Sequence, residues 1–232
     1  MYKIEDIVNK VHCADCLKFM KKMPDKSVDL VLTDPDYNAK DIGTNHRRYS
    51  QGKQLSVPNY KKFCKKWFNE ANRIGKTVVF TPGIANTHNY PQPDWQICWH
   101  KPASVSFNRM GGFNVWEPIF KYSKVSERIG QDYILRNTLN FKKGPEKDHP
   151  CPKVLSLWLW IIIHFSKKGD IVCDPFLGSG TTAVACKELG RHFIGIDIVE
   201  KYCDIARQRL NQEILPVEIS EKTSKSDCGT LF

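Results

Sequence analysis

One stretch, Asp170 to Asp197, narrows the possible folds more than any other part of the chain. Ile171–Asp174 is a short apolar run ending in a carboxylate, Pro175–Gly180 a glycine turn, Thr181–Gly190 a helical segment, and His192–Asp197 a second apolar run ending in a carboxylate. Two buried strands joined through a helix make a βαβ unit, because parallel neighbours need a crossover of this kind. Asp197 follows the turn by roughly 20 residues, the spacing that brings a carboxylate onto a ribose hydroxyl pair. The unit is predicted to bind a ligand that carries a nucleoside.

The turn itself bears on which nucleoside. Gly178-Ser179-Gly180-Thr181-Thr182-Ala183 fits G-x-G-x-x-A, which keeps a dinucleotide, and with it an NAD-linked oxidoreductase, among the readings. Asp174 argues the other way, since a carboxylate at the end of the first strand opposes a pyrophosphate on the helix N-terminus. It suits a cationic ligand, and S-adenosyl-L-methionine carries both an ammonium and a sulfonium. The plain alternative is an aspartate that only caps the following helix.

At 232 residues the chain has room for one good-sized α/β core, expected over residues 1–215 with a polar tail at 216–232. Thirty-five Lys and Arg against 25 Asp and Glu give a formal charge of +10, which favours a polyanionic partner. Most of that excess lies between Asn38 and Lys66, where eight basic residues face one acid, Asp41. Val154–Phe165, the longest apolar run, is too short to span a bilayer, and the first residues lack the pattern of a signal peptide. A cytoplasmic protein is expected, monomeric or homodimeric. The nine cysteines are odd in number and several fall inside predicted strands and helices, so they read as buried thiols. Cys13-Ala14-Asp15-Cys16 lacks a second pair at zinc spacing, and no metal is expected.

A second site stands near the N-terminus. Ser27–Thr33 reads as a buried strand and runs into Asp34-Pro35-Asp36-Tyr37, a strand-end carboxylate, a backbone-fixing proline and an aromatic ring. This tetrapeptide resembles the Asp-Pro-Pro-Tyr catalytic motif of the DNA amino-methyltransferases, which methylate N6 of adenine or N4 of cytosine. Asp174-Pro175-Phe176-Leu177-Gly178-Ser179-Gly180-Thr181-Thr182 is similar to the cofactor motif of the same family. The catalytic motif comes first, the β-class order, and the resemblance extends from about Val11 to Leu210.

The resemblance implies a Rossmann-like methyltransferase fold, α/β, with a doubly wound and mostly parallel sheet, circularly permuted so that the catalytic half precedes the cofactor half. It implies S-adenosyl-L-methionine as cofactor and double-stranded DNA as partner. Asp34 and the carbonyl of Pro35 would accept the two hydrogens of the target amine, and Tyr37 would stack on a base flipped out of the duplex. Phe176, Gly178, Ser179, Gly180 and Thr181 would form the cofactor turn, with Asp174 near the methionine end, Asp197 at the ribose and Asp15 at the adenine amino group. His149-Pro150-Cys151-Pro152-Lys153 resembles a stretch that precedes the cofactor-supporting helix, and Lys153 either reaches the cofactor carboxylate or is an ordinary exposed lysine. Adenine N6 is favoured, because the family's adenine enzymes usually have Asp at the first motif position. Cytosine N4, an RNA substrate and a nucleic-acid-binding homologue with a weakened motif stay open.

The departure is Asp36, where the family normally has a second proline. An extra carboxylate there loosens the turn, raises the pKa of a neighbouring acid, or weakens activity. Residues 38–60, basic and poor in apolar side chains, are read as a DNA-contacting loop with Lys40, Arg47, Arg48 and Lys53 on phosphates. Residues 123–149, which include Arg136, are read as the target-recognition segment. A helix is predicted over Tyr60–Ile74 and strands at Val11–Asp15, Lys76–Thr81, Trp95–His100, Ser104–Phe107 and Pro118–Tyr122. Val154–Phe165 and Tyr202–Leu210 are read as further helices, and Trp99 and Trp116 as core.

Overall fold

The apolar runs of the sequence become the strands of one sheet. The structure, a computed structural model, describes residues 1–37, 59–100, 114–123 and 155–212. In chain order these form α1 (Ile4–Ile7), β1 (Lys10–Cys13), α2 (Cys16–Met20), β2 (Val28–Thr33), α3 (Tyr60–Ile74), β3 (Gly75–Phe80), a 3-10 helix at Ile84–Asn89, β4 (Trp95–His100) and β5 (Trp116–Ser123). Then come α4 (Leu155–Phe165), β6 (Ile171–Asp174), α5 (Thr181–Leu189), β7 (His192–Asp197) and α6 (Glu200–Asn211).

The seven strands lie in the order β1-β7-β6-β2-β3-β5-β4. The first five of that series pair in parallel, and β5 runs antiparallel to both β3 and β4. The last two strands of the chain therefore sit between the first and the second.

Alternate side chains of each central strand enter different layers. Val31, Val78, Phe80, Cys173, Ile194 and Ile196 meet α2 and α3 on one face. Leu30, Leu32, Val79, Val172 and Phe193 meet α4 and α5 on the other. Burial on both faces explains why these strands are continuous apolar runs. On α3, Cys64, Trp67, Phe68, Ala71 and Ile74 are buried, the i, i+3, i+4 stripe of a helix with one side on a core. The helix α4 buries Leu157, Trp158, Leu159, Ile161 and Ile162, which accounts for its apolar character nearly all round.

From β6 the chain crosses through α5 to β7 on one side, and from β2 it crosses through α3 to β3 on the other. The direction of winding reverses between β6 and β2, and in open α/β sheets that reversal leaves a crevice at the carboxyl ends of the strands. Asp174 ends β6 and Asp34 directly follows β2, so the two motifs of the sequence meet there.

Several expected boundaries shift. Strand β1 ends at Cys13, short of Asp15, because the Asp15 side chain caps α2 by accepting the Lys18 N–H at 2.9 Å. The last helix begins at Glu200, ahead of Tyr202. Trp99 is buried as expected, whereas Trp116, at the start of β5, is 37% exposed. The Ser104–Phe107 strand, residues 38–58, most of 123–149 and the 216–232 tail lie outside the described residues.

Two glycines permit the close approach of layers around the turn. Gly195 of β7 faces Leu177, whose Cδ2 would lie 2.5 Å from a Cβ at that position. Gly180, at φ +88°, lies where a Cβ would be 2.7 Å from the Ala206 Cβ on α6. Gly180→Ala combines a left-handed backbone with an overlap against a helix. It is expected to lower stability by about 2–4 kcal/mol, read as a shift of the urea unfolding midpoint with an unchanged slope.

Candidate functional site

The crevice is built around two carboxylates with different surroundings. Asp174 is only 3% exposed. Its Oδ1 accepts the Thr33 hydroxyl at 2.6 Å and the Phe176 N–H at 3.0 Å, and its Oδ2 accepts the hydroxyl of Thr182 on α5. Thr182 in turn accepts the indole N–H of Trp158 on α4 at 2.6 Å. One side chain thus joins β6 to β2, to the glycine turn and, through Thr182, to both helices beneath it. Burial pushes the Asp174 pKa up to about 7, against the three hydrogen bonds that hold it down.

Asp34 occupies the neighbouring strand end. Tyr37 and Thr81 each donate a hydroxyl to its Oδ1, and those two hydroxyl oxygens lie 3.0 Å apart. Thr81 follows β3 and is fully buried, and its N–H reaches the Thr33 carbonyl at 3.3 Å across the parallel pair. Burial, reinforced by the Asp34 charge, raises the Tyr37 pKa well above that of a free phenol, so its hydroxyl stays a donor. The Tyr37 backbone carbonyl accepts the Asn86 side-chain N–H at 3.0 Å. Its ring lies against Gly83, where a Cβ would stand 3.3 Å from the ring carbons.

The glycine turn is held from three sides. Gly178 at φ +55° and Gly180 at φ +88° take conformations in which a Cβ is strained. Asp197 accepts the Gly178 N–H at 2.8 Å and the Val199 N–H at 2.9 Å, which ties the end of β7 to the turn. Arg209 of α6 donates to the Ser179 carbonyl at 2.8 Å and to its hydroxyl at 3.2 Å. The Phe176 ring packs edge-on against Phe63 and Trp67 of α3, with centroids at 6.0 and 5.4 Å. Ile198, just past Asp197, is 55% exposed at the same edge.

The expected residues Asp34, Pro35, Tyr37, Asp174, Phe176, Gly178, Ser179, Gly180, Thr181 and Asp197 therefore gather at one edge of the sheet. Asp15 lies at that edge too, one strand beyond β7, where Ala14 N–H donates to the Asp197 carbonyl at 2.8 Å. The partners of Asp174 are the protein's own groups. Lys153, Lys40, Arg47, Arg48, Lys53 and Arg136 lie outside the described residues. No cluster of metal-ligating side chains occurs among the described residues. None of the described helices is long and apolar enough to cross a membrane.

Sequence reading missed Thr33, Thr81, Trp158 and Arg209, and gave Thr182 only as the last residue of the cofactor motif. A signal for Thr81 existed: Thr81-Pro82-Gly83 closes β3 as Asp34-Pro35 follows β2, a polar residue and a proline at the end of each of two apolar runs. Trp158 and Arg209 carry no local mark, since each reaches the turn from a different helix.

The chain is similar to known proteins over most of its length. A family profile described as DNA methylase matches residues 94–208. The chain is 29% identical over 240 residues to the type II methyltransferase M.HpaI of Haemophilus parainfluenzae, covering 87% of this chain and 74% of that protein. It is likewise 29% identical over 255 residues to the type II methyltransferase M.HinfI of Haemophilus influenzae, covering 92% and 71%. The crystal structure of the M1.HpyAVI–SAM complex matches with a TM-score of 0.60 at 25% identity, over 88% of this chain and 99% of that one.

The buried carboxylate sets an expected pH response. With its pKa raised from 3.8 to about 7, Asp174 keeps a proton in the folded state that the unfolded chain releases between those values. Its contribution to stability is complete below about pH 4, falls as pH rises toward 7, and is level above that. Between pH 5 and 7 the fall is on the order of 2–3 kcal/mol. Asp174→Asn cannot titrate, so the unfolding free energy of wild type minus that of the variant, from urea titrations, should decline by that amount.

Proposed function

The chain belongs to the N6/N4 DNA methylase family and uses S-adenosyl-L-methionine, and from that premise we propose that it methylates N6 of adenine in double-stranded DNA. The observation that carries this reading is the Asp34 carboxylate, set at the crevice beside the glycine turn with two hydroxyl donors on one of its oxygens. A carboxylate so arranged is an acceptor for amine hydrogens. The amine of a flipped adenine would take the place of the Tyr37 hydroxyl on Asp34, and the Pro35 carbonyl would accept its second hydrogen. These two contacts draw the nitrogen lone pair out of conjugation with the ring, and they strengthen as positive charge develops on nitrogen in the transition state.

The residues present fit the cofactor. Gly178–Thr181, with two glycines at positive φ, would form the cradle, the Asp197 carboxylate that accepts the Gly178 N–H would meet the ribose hydroxyls, and exposed Ile198 would offer an apolar surface to adenine. Asp15, the cap of α2 just beyond β1, would take the adenine amino group, and Lys153 the methionine carboxylate. When bound, the cofactor supplies an electrophilic methyl group. The proton that the amine then gives up passes to Asp34 or to water. Asp174, held by three protein donors near the methionine end, would support the turn from behind.

Tyr37, its ring backed by Gly83, would stack on the flipped base. Lys40, Arg47, Arg48 and Lys53 would neutralise phosphates, and Arg136 would lie in the recognition segment. Type II relatives are consistent with the modification half of a restriction–modification system.

The test is transfer of labelled methyl from the cofactor to unmethylated duplex DNA, followed by digestion to nucleosides. N6-methyladenine is expected. N4-methylcytosine would redirect the base assignment, and no transfer with cofactor and DNA binding intact would overturn the enzymatic reading. Asp34→Ala should lower kcat by at least about 100-fold while cofactor affinity, measured by calorimetry, changes less than about 2-fold. Full activity in that variant would sink the role given to Asp34.

A further inference from the structure

Position 36 is the point of the catalytic turn where the resembling motif has a second proline and this chain has none. Pro35 has its φ fixed near −65° by its own ring, whereas Asp36 has no such restraint and is the last residue before the ring that backs onto Gly83. The structure holds position 36 from outside the turn. The backbone carbonyl of Asp36 accepts the phenol of Tyr60, the first residue of α3, 24 residues further along the chain. Burial and the neighbouring Cys64 raise the Tyr60 pKa well above that of a free phenol, so the hydroxyl is a lasting donor.

Tyr60 is itself firmly placed. Its ring centroid is 6.3 Å from that of Phe63, and Phe63 in turn packs edge-on against Phe176 of the cofactor turn. One helical turn further on, Trp67 touches Phe176, Phe80 and Tyr90. The donor that holds the catalytic turn therefore sits on the helix that packs against the cofactor turn.

We propose that Tyr60 is a positioning residue whose hydrogen bond to the Asp36 carbonyl supplies the backbone restraint that position 36 lacks, keeping Asp34 to Tyr37 in register with the cofactor turn. The inference rests on the methyl-transfer reading above. It predicts a dependence of Tyr60 on the residue at position 36 that a general packing role would not produce.

The experiment compares wild type, Tyr60→Phe, Asp36→Pro and the double variant. Steady-state methyl transfer to duplex DNA and hydrogen–deuterium exchange of the Tyr37 amide are measured on each. Tyr60→Phe should lower kcat about 3- to 10-fold, the rate equivalent of one hydrogen bond. It should also speed exchange at Tyr37, with the KM for the cofactor changed less than about 2-fold. On the Asp36→Pro background, where the ring restrains the backbone directly, adding Tyr60→Phe should change kcat and exchange by less than about 2-fold. Equal losses on both backgrounds would overturn the proposal. If Asp36→Pro does not fold, Asp36→Gly replaces it, and there the loss from Tyr60→Phe must exceed the wild-type loss for the proposal to stand. If wild type itself transfers no methyl group, the functional reading fails separately and exchange decides alone, unchanged exchange in Tyr60→Phe overturning the inference.

Discussion

The Thr33–Asp174 hydrogen bond joins residues 141 apart in the chain at the one place where the winding of the sheet reverses. Taking a carboxylate out of water costs several kcal/mol, and hydrogen bonds to a charged group return roughly 1.5–3 kcal/mol each. Three donors therefore offset only part of the burial, which leaves the Asp174 pKa raised to about 7. The consequence is geometric. A bond to Oδ1 from β2 and another to Oδ2 from α5 fix the side chain in one rotamer, and with it the separation between the strand that leads into Asp34 and the turn that forms the cofactor cradle.

Support for the catalytic strand end comes from aromatic packing of a directional kind. Trp67 sits edge-on to Phe80 at 5.0 Å, Tyr90 is 4.7 Å from Phe80, and Tyr122 stacks on Phe80 with an interplanar angle of 6°. Edge-to-face and stacked pairs favour particular orientations, so the cluster resists small displacements better than an aliphatic core of the same size. Phe80 immediately precedes Thr81, whose hydroxyl holds Asp34. Orientation in the core is passed to the carboxylate through one peptide unit, the sort of rigid backing that a reacting group needs to stay within about half an ångström of its productive position.

Much of this was legible in the chain. The central strands were readable because parallel strands buried on both faces are unbroken apolar runs, and the site because Asp34, Asp174 and Asp197 each stand where such a run stops. Boundaries were less readable where a side chain competes with the ladder: Asp15 looked like the end of a strand and is the cap of a helix. Trp158 and Arg209 could not be read at all. Their roles depend on α4 and α6 arriving beside the turn, and nothing in their local sequence encodes that arrival. Trp116, assigned to the core from its size, is partly exposed at the start of β5, because size alone does not say which end of a strand leaves the sheet's covered area.

Asp36 shows how a local departure is to be weighed in a fold of this kind. Judged by sequence alone, losing a proline from a tight turn costs about 0.4–1 kcal/mol of conformational restriction. In the folded chain the Asp36 carbonyl is held by a phenol from α3, and one hydrogen bond contributes about 0.5–1.5 kcal/mol net, the same scale. The restraint has moved from the covalent geometry of one residue to a contact between two elements. A covalent restraint operates in the unfolded chain as well, whereas a tertiary one exists only once α3 has docked on the sheet. Part of the order of the catalytic turn is then tied to the same packing that seats Phe63 and Trp67 against Phe176, which couples the two halves of the site.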